Sequence, residues 1–399
     1  MRFFATCAKG TEGALRRELS DLRLPAVTGG RGGVSFEGRL EHALRACLWS
    51  RTAMRVLLEL GRFPAASAEA LYAGTRSLDW STWLTTRTTL AVESTVTSSA
   101  ITHSQFAALK VKDAVVDALR EKLGARPDVD PKDPDVRIVL HLSRDEAALS
   151  LDLAGEPLHR RGYRAAMTVA PLKETLAAAV LALGRVPAGL PFVDPMCGSG
   201  TLAIEQALAA RRMAPGLSRA FGFQRWPGYR GAVQAAWDRM KEQARALALP
   251  RAPAPIVARD RNAKALDAAR RNAAAAGVGL DVIVEEGDAR RMEPRWPEGT
   301  LCTNPPYGER LGRPQADGGE ARDGGKRRGR ERQEGAGGRL QLQGLYRGLG
   351  ETFRRFHGWH AVILSGNPLL EREMGMKPEI SHRLWNGPIE ARLLRYRIP

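Results

Sequence analysis

The residue types best suited to chemistry stand together at Asn304-Pro305-Pro306-Tyr307, between the apolar run Leu301-Cys302-Thr303 and Gly308. Two consecutive prolines donate no backbone hydrogen bonds and hold φ at about −65°, so a strand has to end there. The result is a stiff loop at a strand's carboxyl end, offering an amide, bare carbonyls and an aromatic ring. In an open α/β sheet that edge is where ligands bind. Such a loop suits the exocyclic amino group of a nucleobase. The Asn304 side-chain oxygen and the Pro305 carbonyl can each accept one of its N–H bonds, and Tyr307 can stack on the base. A plain tight turn is the competing reading, and the residues upstream weigh against it.

Upstream, Phe192-Val193 runs into Asp194-Pro195-Met196-Cys197-Gly198-Ser199-Gly200-Thr201, and an apolar helix is expected from Leu202. Gly198 permits a turn with φ > 0, Gly200 lets a ligand approach the backbone, and the helix start offers unpaired N–H groups. The spacing Gly198-x-Gly200-x-x-Ala203 also fits a dinucleotide-binding turn. Asp194 argues otherwise: a carboxylate there disfavours a pyrophosphate and can pair with the positive amino-acid end of S-adenosylmethionine. Met196, Cys197, Ser199 and Thr201 complete the expected binding turn. A second acidic residue should end the neighbouring strand and hold ribose hydroxyls. Dinucleotide folds place it about 20 residues on, whereas this chain reaches its candidate, Asp260, much later. Residues 211–252, which include Trp226, Tyr229, Val233, Trp237 and Met240, are therefore expected to be an insertion. A strand over 280–284 then leads to Asp288, placed for an adenine amino group, and the next strand ends at Asn304.

The elements that must carry these strand ends are legible on both sides. Residues 1–64 alternate strand and helix: Phe3-Phe4-Ala5-Thr6, a helix capped by Thr11 with Leu15, Leu19 and Leu22 on one face, Val34-Ser35-Phe36 after a glycine-rich turn, a helix with Leu40, Leu44 and Leu48, and Met54-Arg55-Val56-Leu57-Leu58. That order predicts a two-layer α+β module. Residues 65–163 form a second module. It holds a β-branched strand from Thr89, a helix capped by Ser104 and ended by Gly124 with Leu109, Val116, Leu119 and Leu123 facing the core, and a hairpin about Arg144-Asp145. At its end Arg160, Arg161, Tyr163 and Arg164 interleave basic side chains with an aromatic ring. They can contact phosphates and stack on a base, or form a solvated linker. The third domain covers 164–399. Within it residues 313–339 are rich in Gly, Arg and Glu and predict a flexible insertion. A helix over 340–356 with Leu345, Leu349 and Phe356 inward follows, then strands at Ala361-Val362-Ile363-Leu364 and Ala391-Arg392-Leu393-Leu394-Arg395-Tyr396.

Composition narrows the setting. The net charge of +17 over 399 residues calls for a polyanionic partner such as nucleic acid. No apolar run reaches the ~20 residues of a membrane span, and the N-terminus has no signal-peptide pattern. The four cysteines form no CxxC pair, so reduced thiols and a cytoplasmic location are expected. His357 and His360 have no third partner for a metal.

Taken together, these residues resemble the class I S-adenosylmethionine-dependent methyltransferases of the Asn-Pro-Pro-Tyr group. More narrowly, they resemble the bacterial ribosomal RNA guanine-N2 methyltransferases that carry a THUMP domain. The resemblance rests on Leu158-His159-Arg160-Arg161-Gly162-Tyr163-Arg164, Pro171-Leu172-Lys173-Glu174-Thr175-Leu176, the Asp194 and Asn304 motifs, and Asn386-Gly387-Pro388-Ile389-Glu390. It implies a ferredoxin-like module, a THUMP module that binds RNA, and a Rossmann-like domain with a seven-stranded, mostly parallel sheet closed by an antiparallel hairpin. It implies S-adenosylmethionine as methyl donor with no metal, and large-subunit (23S) ribosomal RNA as substrate, with no obligate protein partner. A tRNA guanine-N2 methyltransferase would share every motif, and a DNA adenine-N6 methyltransferase the catalytic loop. A non-catalytic RNA-binding role would leave Asn304 without a task. Relatives often carry a second methyltransferase domain, which this chain, ending at Pro399, is expected to lack.

Overall fold

The computed structural model describes residues 1–165, 172–308 and 325–399, with 325–337 described as helical backbone alone. The chain divides into two compact units, Met1–Arg161 with Met213–Ala248, and Gly162–Arg212 with Leu249–Pro399.

The first unit runs β1 (Arg2–Thr6), α1 (Glu12–Asp21), β2 (Thr28–Gly30), β3 (Gly33–Glu37), α2 (Leu40–Trp49), β4 (Arg55–Pro64), α3 (Ala68–Arg76), β5 (Thr89–Thr97), α4 (Ser104–Leu123), β6 (Asp128–Val129), β7 (Val136–Ser143) and β8 (Glu146–Asp152). The glycine-rich turn is tighter than expected, because Thr28–Gly30 itself pairs with β3. Among the described residues the strands make one sheet in the order β2-β3-β1-β4-β8-β7-β5-β6. The expected boundary after residue 64 is thus crossed by the pairing of β4 with β8. Arg144 and Asp145 both have positive φ (54° and 60°), the backbone that a tight two-residue hairpin between β7 and β8 needs.

Helix α4 departs from expectation in register. His103 caps it, its Nδ1 accepting from the Phe106 N–H at 3.1 Å, so Ser104 is the first helical residue. Its buried stripe is Ala107, Val111, Ala114, Val115 and Leu119, while Leu109 and Leu123 are exposed. Small alanines on the inner face let the helix lie close to the sheet, and the larger leucines fall on the outer face. Gly124 ends it in the left-handed conformation (φ 77°), as expected.

The second unit contains α5 (Glu174–Leu183), β9 (Phe192–Asp194) and α6 (Thr201–Ala210). The chain then supplies α7 (Ala232–Leu247) to the first unit and returns as β10 (Ile256–Asp260), α8 (Ala263–Ala275), β11 (Val282–Glu286), β12 (Thr300–Thr303), α9 (Gly325–Phe353), β13 (His360–Ser365), α10 (Leu369–Glu373), β14 (Ile380–Asn386) and β15 (Ile389–Arg397). The excursion before and through α7 is the expected insertion, but its apolar side chains belong to the first unit. Trp237 is buried there, edge-on to Phe221 and Phe223 at 5.2 and 5.0 Å. Amphipathic α7 has its own core to join, so it is part of that fold. The Gly-, Arg- and Glu-rich stretch lies outside the described residues up to 324, and from Gly325 its backbone is already helical. The expected flexible insertion over 313–339 thus lies partly outside the described residues.

The second sheet has the order β11-β10-β9-β12-β13-β15-β14. Its first five strands are parallel, and β15 pairs antiparallel with both β13 and β14. This is the seven-stranded Rossmann-like sheet with its closing hairpin. Strand order reverses beside β9: the chain proceeds to β10 and β11 on one side, then crosses to β12 on the other. In such sheets the crevice at the carboxyl ends of the two strands flanking the reversal is the ligand site.

Candidate active site

At the end of β9 the chain turns from Asp194 into α6 through two left-handed glycines, Gly198 (φ 54°) and Gly200 (φ 84°). A Cβ on Gly200 would lie 3.0 Å from the Ala269 Cβ, so the turn packs directly on α8. Over Gly198 a Cβ would meet no atom within 4 Å, leaving open space above this backbone. The turn is tied to β10: the Gly198 N–H donates to Asp260 Oδ2 at 2.9 Å and the Cys197 N–H to the Arg259 carbonyl at 2.9 Å. Asp260 Oδ1 also accepts the Asn262 N–H at 2.9 Å, which fixes the carboxylate. Asn272 on α8 donates to the Ser199 carbonyl at 3.1 Å. Ser199, Thr201 and Cys197 are buried, and Met196 is partly so.

Asp194 is buried to 1% exposure, and burial pushes its carboxyl up to about 7. The Met196 N–H, donating at 3.2 Å, and the adjacent Thr303 hydroxyl pull the other way, while the nearby Asp260 charge adds to the rise. The Cys197 and Cys302 thiols are raised further by burial and by the Asp194 charge, so both stay neutral. At the end of β11, Asp288 accepts the Arg290 N–H at 2.9 Å and a fork from the Arg290 guanidinium at 2.5–3.1 Å. That pairing holds its carboxyl down to about 2.

Beyond β12, Asn304 and Tyr307 are joined: the Tyr307 hydroxyl donates to Asn304 Oδ1 at 2.7 Å. Burial raises the Tyr307 phenol to about 12, with the Asn386 amide at the tip of the β14–β15 hairpin opposing the shift. The Tyr307 ring lies against Gly366, where a Cβ would come within 2.6 Å of it. Two residues that sequence reasoning missed brace the loop. Tyr346 of α9 donates to the Pro306 carbonyl at 2.6 Å, and Asn367 Nδ2 donates to the Tyr307 carbonyl at 2.8 Å. Gly308 closes the loop with φ 96°. Neither brace has a sequence signal, since each lies 40 or more residues from its partner.

The basic-aromatic run behaves differently from the nucleic-acid reading. Arg161 is buried and donates to the carbonyls of Leu158 and Arg51 at 2.7 and 2.5 Å. Tyr163 is buried with its hydroxyl on Glu205 at 3.0 Å. Arg164 pairs with Glu174 at 2.8 Å and with the Leu172 carbonyl at 3.0 Å. Only Arg160 of the four is exposed, and it pairs with Glu156. Arg161, Tyr163 and Arg164 are therefore internal fasteners here, because each finds a carbonyl or carboxylate within its own fold.

Fold and site together define a class, a THUMP-containing protein with a methyltransferase domain. Residues 2–57 match the RlmL ferredoxin-like domain, 65–152 the THUMP domain and 161–319 the RMKL-like methyltransferase domain. Over its full length the chain is 43% identical to ribosomal RNA large subunit methyltransferase K/L of Syntrophotalea carbinolica, covering 54% of that protein. It is 42% identical to the protein of the same name from Methylococcus capsulatus, with 99% of this chain and 51% of that one aligned. The chain spans about half the length of these curated relatives. Among solved structures, SMU.472 in complex with SAH aligns with a TM-score of 0.85 at 29% identity, covering 100% of this chain and 98% of the other. Among the described residues no helix is long and apolar enough to cross a membrane, and no group of three or more His, Cys, Asp or Glu could hold a metal.

Proposed function

We propose that the chain transfers a methyl group from S-adenosylmethionine to the exocyclic N2 of a guanine in RNA, with large-subunit ribosomal RNA as the substrate, in the cytoplasm. One observation carries the reading: Asn304 ends β12 and the buried Asp194 ends β9, the two strands that flank the order reversal. The names of the relatives support ribosomal RNA, and the SAH held by SMU.472 supports the methyl donor.

The residues present suit that donor. Asp194 is a buried carboxylate beside a second one, Asp260, and the ammonium of the donor's amino-acid end would supply the missing positive charge. The open space over Gly198 admits the ligand against the turn from Met196 to Thr201. Asp260, already fixed by two N–H groups, has lone pairs left for ribose hydroxyls. Asp288 would take the adenine amino group in place of part of its Arg290 fork.

An aromatic amine is a weak nucleophile because its lone pair is delocalised into the ring. The Asn304 carboxamide oxygen and the Pro305 carbonyl would each accept one N2–H, favouring pyramidalisation and aiming the lone pair. The Tyr307 hydroxyl uses one lone pair of the Asn304 oxygen and leaves the other for substrate. Pro306 keeps the loop stiff, and Tyr307 would hold the base after it leaves its stack. Transfer forms one C–N bond and breaks one C–S bond, and the surplus N2 proton is lost to water. Orientation and fixed dipoles supply the acceleration.

The test is transfer of labelled methyl groups to unmodified large-subunit ribosomal RNA, with tRNA and DNA in parallel. Label in the ribosomal RNA supports the proposal. Label confined to tRNA overturns the substrate, and label confined to DNA, or none despite donor binding, overturns the function.

A further inference from the structure

Beside the turn that follows β11 lies a groove of about 360 Å³ against α9. Four arginines, Arg290, Arg291, Arg347 and Arg355, line it against one carboxylate, Glu351. We propose that this groove holds backbone phosphates of the RNA substrate next to the target base. The proposal rests on the RNA-methylating reading above and adds where the strand runs.

Position is the first argument. Arg290 forks the Asp288 carboxylate, so the groove begins beside the expected cofactor site. Its other wall, α9, is the helix whose Tyr346 hydroxyl holds the Pro306 carbonyl at 2.6 Å. Its two walls are locked together, since the Thr352 hydroxyl donates to the Arg290 carbonyl at 2.6 Å.

Shape is the second. Gly344 and Gly348 sit one helical turn apart on the wall formed by α9. A Cβ on Gly344 would meet nothing within 4 Å, while one on Gly348 would strike the Arg290 side chain at 2.8 Å. The helix thus presents bare backbone at Gly344, where a ribose–phosphate chain can come close, with Arg290 laid across the next turn.

Charge is the third. Arg290, Arg347 and Arg355 pair with Asp288, Glu373 and Glu293, with arginine side chains 46, 66 and 43% exposed. The single-contact pairs of Arg347 and Arg355 contribute little, so those two guanidinium groups are available to be shared with a phosphate. Arg291 is exposed and has no ion pair among the described residues. Guanidinium forks match phosphate oxygens two at a time. The groove also gives the substrate a basic track that the inward-turned Arg161 and Arg164 do not.

The experiment compares the full chain with Arg291→Glu, Arg347→Glu and the uncharged floor variant Gly344→Leu. Transcribed large-subunit ribosomal RNA is the probe, and S-adenosylmethionine affinity by calorimetry is the control for folding. The groove predicts that KM for RNA rises about tenfold or more in each charge variant with kcat within about twofold. It predicts a fall of about one in the salt slope of RNA binding per arginine lost. Gly344→Leu should raise KM without changing that slope. Unchanged KM and salt slope in all three variants, in an enzyme that does methylate RNA, overturn the groove and leave the function standing. If the wild-type chain labels no RNA, the functional reading fails instead. The groove is then judged on RNA binding alone, where an unchanged salt slope overturns it.

Discussion

Asp194 shows how burial can prepare a carboxylate for one ligand. With its folded pKa raised to about 7 from an ordinary 3.8, the unliganded protein holds this proton where an unfolded chain has lost it. Its contribution to stability is fully present below 3.8 and declines as pH rises through about 7. A cationic ligand that needs the carboxylate ionised has the opposite dependence. Affinity for S-adenosylmethionine should rise by about tenfold per pH unit up to neutrality and then level off. Calorimetry at several pH values checks this, and Asp194→Asn should bind weakly with a flat profile. The Asn304 loop was readable from sequence because two prolines leave the backbone few options. Arg161, Tyr163 and Arg164 were not, since a basic side chain carries no mark of whether a phosphate or an internal carboxylate will meet it.

Elements set the precision of the site. Helix α9 reaches the Asn304 loop through the hydrogen bond from Tyr346 to the Pro306 carbonyl. Removing it with Tyr346→Phe should loosen the loop by about 1 kcal/mol. Steady-state kinetics should then show kcat lowered about fivefold, with donor affinity unchanged. At the start of α6, Gly200→Ala meets both a left-handed backbone and the Ala269 side chain. Urea unfolding should register a loss of about 1–2 kcal/mol or more. The strands and most helices were legible from their periodicity. The expected start of α4 is within one residue, and Leu119 is buried as expected, but Leu109 and Leu123 face outward. Sequence spacing alone did not favour its alanine stripe over the leucine stripe on the far side.

For the whole molecule, the least legible feature was the discontinuous first unit. Residues 213–248 leave the methyltransferase unit and complete the core of the other one. No local pattern marks such a return, because amphipathic α7 would look the same against any apolar surface. Trp237 is its anchor between Phe221 and Phe223. Trp237→Ala should cost about 3–5 kcal/mol in the first unit, read as an early thermal transition. Donor binding by the second unit should survive below that transition. If the chain binds RNA as proposed, its overall charge of +17 predicts a steeply salt-dependent affinity.

The most direct measurement identifies the modified nucleoside. Ribosomal RNA treated with the wild-type chain and labelled donor is digested, and the product is identified by mass beside a sample treated with Asn304→Ala. The proposed chemistry predicts N2-methylguanosine from the wild type and essentially none from the variant. Methyl groups on adenine N6, or the same yield of N2-methylguanosine from Asn304→Ala, would contradict it.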